Sequence, residues 1–179
     1  MSEPNLLLIS GSLRKASYNR ALLREAAQSF GPADVTEADI TFPIYNGDDE
    51  DADGAPKSVH RFAEQIRKAD ALLIGSPEYN KGISGALKNA LDWLSRIDMP
   101  ALRHKPTVVM SAAAGRTGGE TALFMTLSCL SQFQVHFVFG PAIMVADASN
   151  QFDENGRLTS ETYQKLVHER MEALRETIA

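Results

Sequence analysis

Short apolar runs alternate with amphipathic segments along the whole length of this chain. Residues 6–9 and 71–74 form continuous apolar stretches, and 106–111 is a third, mainly apolar stretch that ends in small residues. A short continuous apolar run is typical of a strand that is buried on both faces. Strand–helix alternation of this kind predicts a parallel sheet that is covered by helices on both sides.

The alternation predicts five strands and five helices. The strands are expected at 6–9, 34–39, 69–75, 106–111 and 135–145, with Gly140 and Pro141 interrupting the last one. The helices are expected at 17–30, 56–68, 83–96, 119–133 and 160–178. The segment 41–56 is rich in Asp, Gly and Pro, which predicts a long surface loop. The leading topology is a flavodoxin-like three-layer sandwich, whose five-stranded parallel sheet has the order 2-1-3-4-5.

Size and charge narrow the possible functions. The chain has 179 residues with no linker and no repeat, so residues 1–179 are predicted to form a single domain. A net charge of -5 without a Lys/Arg cluster argues against a nucleic-acid partner. No apolar stretch approaches the roughly 20 residues of a membrane span, and the N-terminus lacks the basic start of a secretory signal. We therefore expect a cytoplasmic protein without a membrane partner.

Metal-binding patterns are weak. Residues 49–54 resemble the first half of a calcium loop, but position twelve is His60 rather than Glu, and Pro56 interrupts the pattern. A hydrated acidic loop is therefore favoured. The four histidines are scattered, and the single cysteine, Cys129, lies among apolar neighbours and is predicted to be a small buried core residue. We expect no metal site and no intramolecular disulfide.

The loop after the first strand, 10–19, is rich in groups that bind phosphate. Three hydroxyls, one guanidinium and one amide come from Ser10, Ser12, Ser17, Arg14 and Asn19. The next helix begins near Ser17, so its N–H groups and the positive end of its dipole would face a ligand in the loop. The loop is neither a Walker A motif nor a Rossmann fingerprint. Phosphate binding is favoured, and the alternative is a capped helix start with solvated Arg14 and Lys15.

The next two loops are suited to a flat, polar ring. In the loop 75–82, Pro77 fixes one backbone angle, and Glu78, Tyr79 and Asn80 can present successive N–H groups to one ligand edge. An ordinary tight turn is the alternative. The loop 111–119 offers the Ser111 hydroxyl and small residues that would let a ring lie close to the main chain. Because ligands in such sheets bind beyond the carboxyl ends of the strands, the three loops together predict a site for flavin mononucleotide (FMN).

Two of these loops carry motifs of a known family. The first motif comprises Gly11, Ser12, Leu13, Arg14, Ser17 and Asn19. The second comprises Pro77, Glu78, Tyr79, Asn80, Gly82, Gly85, Leu87, Lys88, Asn89, Ala90, Asp92 and Trp93. In this order and at this separation, the pair resembles the NADPH-dependent FMN reductase family, which includes the quinone, chromate and azo-compound reductases of bacteria. The resemblance runs from Leu6 to about Gly140.

The resemblance implies site residues that follow by position. The phosphate would be held by Ser12, Arg14, Ser17 and Asn19. The isoalloxazine ring would be held by Pro77, Glu78, Tyr79 and Asn80, with Ser111 beside it. The remaining motif residues Lys88, Asn89, Asp92 and Trp93 would be structural or interfacial.

The resemblance also implies non-covalent FMN and a homodimer or homotetramer in which a neighbouring subunit helps to wall the flavin site. After 118–119 the sequence departs from the better-known quinone and chromate reductases, whose helix at this point bears the arginine and tyrosine that join subunits. Here that helix reads Glu-Thr-Ala-Leu-Phe-Met at 120–125. A dimer is therefore favoured over a tetramer.

The predicted activity is hydride transfer from NADPH or NADH through FMN to a small acceptor: a quinone, a free flavin, an azo or nitro compound or a metal oxyanion. The expected kinetics are ping-pong, and no side chain needs to act as an acid or base in the hydride step. The sequence does not decide between NADPH and NADH. The alternatives are a flavodoxin-like electron carrier that is reduced by a protein partner, and a cofactor-free regulatory domain on the same fold.

Overall fold

A computed structural model describes residues 3–178, and a parallel β-sheet lies at its centre. The strands are β1 (Asn5–Ser10), β2 (Asp34–Glu37), β3 (Ala71–Gly75), β4 (Glu78–Tyr79), β5 (Gly82–Ile83), β6 (Pro106–Ala112), β7 (His136–Phe137) and β8 (Met144–Val145). The main sheet has the order β2-β1-β3-β6, and both β7 and β8 pair with β6 in the fifth place. The predicted order 2-1-3-4-5 is therefore confirmed. Strands β4 and β5 form a separate antiparallel hairpin.

Helices cover both faces of the sheet. They are α1 (Tyr18–Phe30), α2 (Gly47–Asp53), α3 (Lys57–Lys68), α4 (Gly85–Ile97), α5 (Glu120–Ser131) and α6 (Glu161–Ile178). Alternate residues of β1 face opposite sides, as the pleat of a strand requires. Leu6 and Leu8 join one core with α1 and α6, whereas Leu7 and Ile9 join a second core with α3, α4 and α5. This confirms the three-layer sandwich, and each fully buried leucine contributes about 1.5–3 kcal/mol to its stability.

Serine caps begin two of the helices that face the site. The sequence predicts the start of α1 near Ser17. The side chain of Ser17 accepts a hydrogen bond from the backbone N–H of Arg20, the third residue of the helix. Helix α4 begins at Gly85, later than predicted, because Ile83 belongs to β5. Its cap is Ser84, whose Oγ accepts from a backbone N–H of α4 and donates to the carbonyl of Gly11 (2.7 Å). The hydroxyl of Ser84 therefore joins α4 to the first loop.

Two short strands, β7 and β8, share the fifth strand position of the sheet, as the interruption by Gly140-Pro141 predicts. Strand β7 pairs with the start of β6 and β8 with its end, and the chain between them leaves the sheet. The buried side chain of Arg170 on α6 donates to the carbonyls of Val138 (3.0 Å) and Pro141 (2.9 Å). A Cβ on Gly140 would lie 2.6 Å from the Arg170 guanidinium, so only glycine fits there without displacing it.

Two predictions are wrong. The segment 41–56 is not a continuous loop, because 47–53 form α2, where Asn46 accepts from the N–H of Asp48 (3.1 Å) and acidic residues fill the first turn. Acids are favourable there because they face the positive end of the helix dipole. Cys129 is partly exposed on α5 rather than buried, although it contacts the second core.

Within residues 3–178, no helix combines the length and apolar character needed to cross a membrane.

Candidate functional site

The three predicted loops meet at the carboxyl-terminal edge of the sheet. The N–H of Gly11 donates to the carbonyl of Gly75 (2.8 Å), and the N–H of Ser76 donates to the carbonyl of Met110 (2.9 Å). These bonds extend the ladders of β1, β3 and β6 into the loops. A Cβ on Gly11 would lie 2.8 Å from Cδ of Pro77. Glycine is therefore required where the first loop touches the second, because the two backbones approach so closely.

A cleft of about 190 Å³ opens between the three loops. The predicted cofactor residues that line it are Ser12, Arg14, Ser17, Asn19, Pro77, Glu78 and Tyr79. The third loop contributes the small residues 112–114, as its composition suggests. Asn80 and Ser111 lie outside the lining. The structure therefore brings together the predicted residues of the first loop and most of those of the second.

Two hydroxyls and a guanidinium surround the N-terminus of α1. The Oγ of buried Ser12 accepts from the N–H of Arg14 (3.4 Å) and lies 3.3 Å from the phenol oxygen of Tyr79. Ser17 caps the helix, and the Arg14 side chain is exposed beside the cleft. Hydroxyls, a guanidinium and a helix N-terminus form a donor set that suits a phosphate. The residues present therefore fit the phosphate group of FMN.

Asn19 has a structural task that the sequence did not indicate. Its side chain is buried, and its Nδ2 donates to the carbonyl of Ala112 (2.8 Å) while its Oδ1 accepts from the N–H of the same residue (3.0 Å). This two-point contact fixes the first turn of α1 against the end of β6. Asn19 thus sets the position of the helix N-terminus that faces the cleft.

Glu78 links the second loop to α5. Its Oε2 accepts from the backbone N–H groups of Thr121 (3.0 Å) and Ala122 (3.3 Å), and its Oε1 lies 3.3 Å from Nζ of Lys81. A carboxylate at this position meets the positive end of the α5 dipole and satisfies N–H groups that have no partner within the helix. The carboxylate therefore holds the loop in place, and the main chain of Glu78 remains the part that can face a ring.

Asn80 lies at the tip of the β4–β5 hairpin. Asn80 (φ 49°) and Lys81 (φ 63°) both adopt positive φ, as the two central residues of a type I′ turn do. The sequence predicts a turn here but not a hairpin, because strands of two residues leave no readable pattern. Tyr79, one residue before the turn, is 49% exposed and reaches the rim of the cleft.

Ser111 lies behind the cleft rather than in it. It is fully buried, and its Oγ donates to the carbonyl of Ser76 (2.7 Å). A Cβ on Gly119 (φ 88°) would lie 2.1 Å from that Oγ, and a Cβ on Gly118 (φ 62°) would lie 2.5 Å from the carbonyl oxygen of Met144. Both the backbone conformation and the space therefore require the Gly-Gly pair, a constraint that the sequence alone does not indicate.

The motif residues of α4 hold the segment before α2. Asn89 accepts from the N–H of Tyr45 (2.9 Å) and donates to the carbonyl of Pro43 (2.9 Å), and the indole N–H of Trp93 donates to the same carbonyl (2.8 Å). The Tyr45 hydroxyl donates to Glu50 on α2, and this hydrogen bond raises the pKa of Tyr45. Asn89 and Trp93 thus have a structural role, which keeps 43–45 against α4.

Parallel strands in this order, with a phosphate-donor set beyond their carboxyl ends, define a flavodoxin-like flavin-binding protein. The sequence model of the family described as "NADPH-dependent FMN reductase" matches residues 4–150. The chain belongs to this family.

Similar proteins agree with this placement. An NAD(P)H-dependent FMN reductase of Pseudomonas aeruginosa is 43% identical over 171 residues, which covers 94% of this chain and 92% of that protein. A quinone reductase of Escherichia coli is 34% identical over 160 residues, covering 86% and 84%. The flavoenzyme NAD(P)H:(acceptor) oxidoreductase FerB of Paracoccus denitrificans has a similar structure, with a TM-score of 0.86, 28% identity and coverage of 98% and 97%.

Family membership makes this chain an oxidoreductase that uses FMN as its cofactor and NAD(P)H as its electron donor. The predicted family, fold and cofactor are confirmed.

Proposed function

We propose that this enzyme carries hydride from NAD(P)H through FMN to a small acceptor by a ping-pong mechanism. The acceptor is a quinone, a free flavin, an azo or nitro compound or a metal oxyanion. The observation that carries the proposal is the cleft between the three loops, where the polar donors of the first loop meet Pro77 and Tyr79 of the second. The donor and the acceptor would take turns over the same face of a ring bound there.

When bound, FMN would supply the redox chemistry of the reaction. The first loop of this chain would hold the phosphate through Ser12, Arg14 and Ser17, together with the N-terminus of α1. Asn19 would act by fixing that helix end through Ala112. This division of roles leaves the phosphate contacts on the exposed side chain of Arg14 and on the buried hydroxyls of Ser12 and Ser17, which line the cleft.

The second loop would hold the ring through its main chain. Pro77 and the anchored carboxylate of Glu78 stiffen the loop, and the tight turn that follows limits movement of Asn80. N–H groups at 78–80 that are held in place before reaction would stabilise the negative charge that a reduced ring carries, at little reorganisation cost. Asn80 would bond to the rim of the ring, and Ser111 would support the floor of the site through Ser76.

No side chain of the cleft is proposed to transfer a proton in the hydride step. Among the residues that line the cleft, the carboxylate of Glu78 is already engaged by α5 and Lys81. The protein would contribute binding, orientation and electrostatics, so no catalytic side chain is assigned.

We propose that the protein acts as a single domain and forms a homodimer, with a homotetramer as the alternative. Both cores share one sheet, which supports the single domain. Exposed apolar side chains beside the site support the dimer: Leu13 (52%), Tyr79 (49%), Phe124 (55%) and Met125 (41%). A second copy of the chain would cover them and wall the cleft. We further propose a cytoplasmic location, with neither nucleic acid nor membrane as a partner.

The test is the visible absorption spectrum of the purified protein with added FMN, before and after anaerobic NADPH and, separately, NADH. The expected result is a bound flavin spectrum that bleaches with a pyridine nucleotide and recovers when a quinone is added. Initial rates that vary both substrates should give parallel double-reciprocal lines. Bound flavin that stays oxidised with both nucleotides would support the electron carrier, and lack of FMN binding would overturn the proposal.

A further inference from the structure

A buried hydroxyl of α5 contacts the second loop from behind the cleft. Thr126 lies in the middle of α5, and its Oγ1 is 2.7 Å from Oγ of Ser76. Both side chains are fully buried. Ser76 comes directly before Pro77, the first residue of this loop that lines the cleft. The contact with α5 therefore lies one residue away from the cofactor site.

The direction of the hydrogen bonds at this contact follows from the single proton of each hydroxyl. Thr126 donates its proton to the carbonyl of Ala122, one helical turn earlier (2.7 Å). The Ser76 hydroxyl is therefore the donor to Thr126, because its distance to the same carbonyl, 3.5 Å, is too long for a good hydrogen bond. The carbonyl of Ser76 accepts from Ser111 (2.7 Å), and its N–H donates to Met110 (2.9 Å). Every polar group of Ser76 is thus engaged, and Thr126 is the partner of its hydroxyl.

Helix α5 holds the second loop on both sides of Pro77. Ser76, which precedes this proline, donates to Thr126. Glu78, which follows it, accepts from the N–H of Ala122 (3.3 Å). The helix begins at a glycine, which has no side chain to cap it, so the loop and the helix satisfy each other's polar groups. A change in this contact should therefore reach the main chain of the loop.

A simpler explanation of Thr126 is that its hydroxyl only bonds to the preceding turn of its own helix. That explanation does not account for Ser76. Without the Thr126 hydroxyl, the buried Oγ of Ser76 would keep no good hydrogen-bond partner among the described residues. A buried hydroxyl without a partner costs free energy, so Ser76 would have to turn or shift. Any such shift moves the loop at the point where it enters the cleft.

We propose that Thr126 is a positioning residue that sets the redox potential of bound FMN. Through Ser76 it fixes the aim of the backbone N–H groups of 78–80. This inference rests on the proposed function, in which these N–H groups stabilise the negative charge of the reduced ring. When their aim is lost, reduced FMN loses more of its binding free energy than oxidised FMN does. The potential therefore falls.

The test compares Thr126→Val with a matched control, Thr107→Val. Thr107 lies on β6, is also buried, and donates to the carbonyl of Lys105 (2.9 Å), but it does not line the cleft. In Thr126→Val, affinity for reduced FMN relative to oxidised FMN should fall about tenfold, as expected when a hydrogen bond to a charged group is weakened. For a two-electron couple this lowers the midpoint potential by about 30 mV. The control should lose comparable stability in urea unfolding but keep the wild-type potential.

Hydrogen exchange provides a readout that needs no FMN. In the FMN-free protein, the backbone N–H groups of 76–83 should exchange about tenfold faster in Thr126→Val than in the wild type. The rate should be unchanged in Thr107→Val. The variant Thr126→Ser keeps the hydroxyl, so it should retain both the wild-type exchange rate and the wild-type potential.

Three results would overturn the inference. They are an unchanged potential in Thr126→Val, an equal fall in Thr107→Val, and a Thr126→Ser variant that behaves like Thr126→Val. In the last case the size of the side chain rather than its hydroxyl would be responsible. Lack of FMN binding by the wild type, or of its reduction by NAD(P)H, would overturn the proposed function instead. Hydrogen exchange would still test whether Thr126 positions the loop.

Discussion

Two regions of the molecule are held in different ways. One is the inner wall of the cleft, which comprises the residues that line it and those that support it from behind. The other is the outer segment, residues 43–53, which ends in α2. The inner wall depends on close approaches to the backbone, such as that of the Ser111 side chain to Gly119, and on buried two-point contacts such as Asn19 with Ala112. None of residues 47–53 is buried, and the segment 43–45 is fixed chiefly by hydrogen bonds from Asn89 and Trp93. A change in the inner wall should therefore reach the cofactor, whereas a change at the outer segment should stay local.

The largest effect is expected from Gly119→Ala. The new Cβ would lie 2.1 Å from Oγ of Ser111, and alanine would also have to adopt a φ of 88°. Steric overlap and backbone strain together should lower the free energy of unfolding by about 4 kcal/mol. Denaturant unfolding measures this, and FMN binding should be lost as well. The matched control is Gly85→Ala, where nothing lies within 4 Å of the new Cβ. It should change stability by no more than about 1 kcal/mol.

The next effect is expected from Asn19→Ala. This variant leaves the N–H and carbonyl of Ala112 without their buried partners, which should lower the free energy of unfolding by about 2–3 kcal/mol. Because α1 loses its fixed position, the Kd for FMN should rise too. Fluorescence quenching of FMN and urea unfolding measure the two effects. A variant with full FMN affinity would show that the helix end is positioned by other contacts.

Arg14→Gln should separate cofactor binding from stability. The side chain is exposed, so the free energy of unfolding should stay the same. Loss of a charge-assisted contact of about 2 kcal/mol should raise the Kd for FMN roughly 30-fold. Riboflavin, which lacks the phosphate, is the control ligand, and its Kd should not change. An equal loss for both ligands would place Arg14 near the ring instead of the phosphate.

The smallest effect is expected from Trp93→Phe on α4, which removes one of the hydrogen bonds that hold the outer segment. The ring of phenylalanine keeps most of the packing, but the hydrogen bond to the carbonyl of Pro43 is lost. The free energy of unfolding should fall by about 1 kcal/mol, and the Kd for FMN should be unchanged. A clear loss of FMN affinity would contradict the distinction between the inner wall and the outer segment.

Most of the fold follows from the sequence because its central strands are continuous apolar runs. Strands β1 and β3 are buried on both faces, and their patterns define a parallel sheet. The sequence does not predict helix α2, because 41–56 has the composition of a loop. Residues 47–53 contain no apolar stripe that would indicate a helix. The hairpin was missed because its strands contain only two residues each.

The candidate site is only partly predictable for a different reason. Hydroxyls and charges near a helix start indicate what a loop can bind, and Ser12, Arg14 and Ser17 do line the cleft. Contacts between residues far apart in the chain leave no local pattern. The amide of Asn19 bonds to Ala112, and the carboxylate of Glu78 bonds to Thr121, although both types of side chain also suit direct ligand binding.

The division of the fifth strand position between β7 and β8 also affects how readily the protein can aggregate through its sheet edge. An edge with a long row of unpaired N–H and C=O groups is a template for strands of other molecules. Here the edge beside β6 consists of two strands of two residues, and Arg170 occupies carbonyls in the gap between them. The opposite edge, β2, has only four residues and carries charge at both ends, on Asp34 and Glu37. Neither edge offers a long, flat surface for intermolecular strand pairing, which should keep the folded protein from polymerising through its sheet at high concentration.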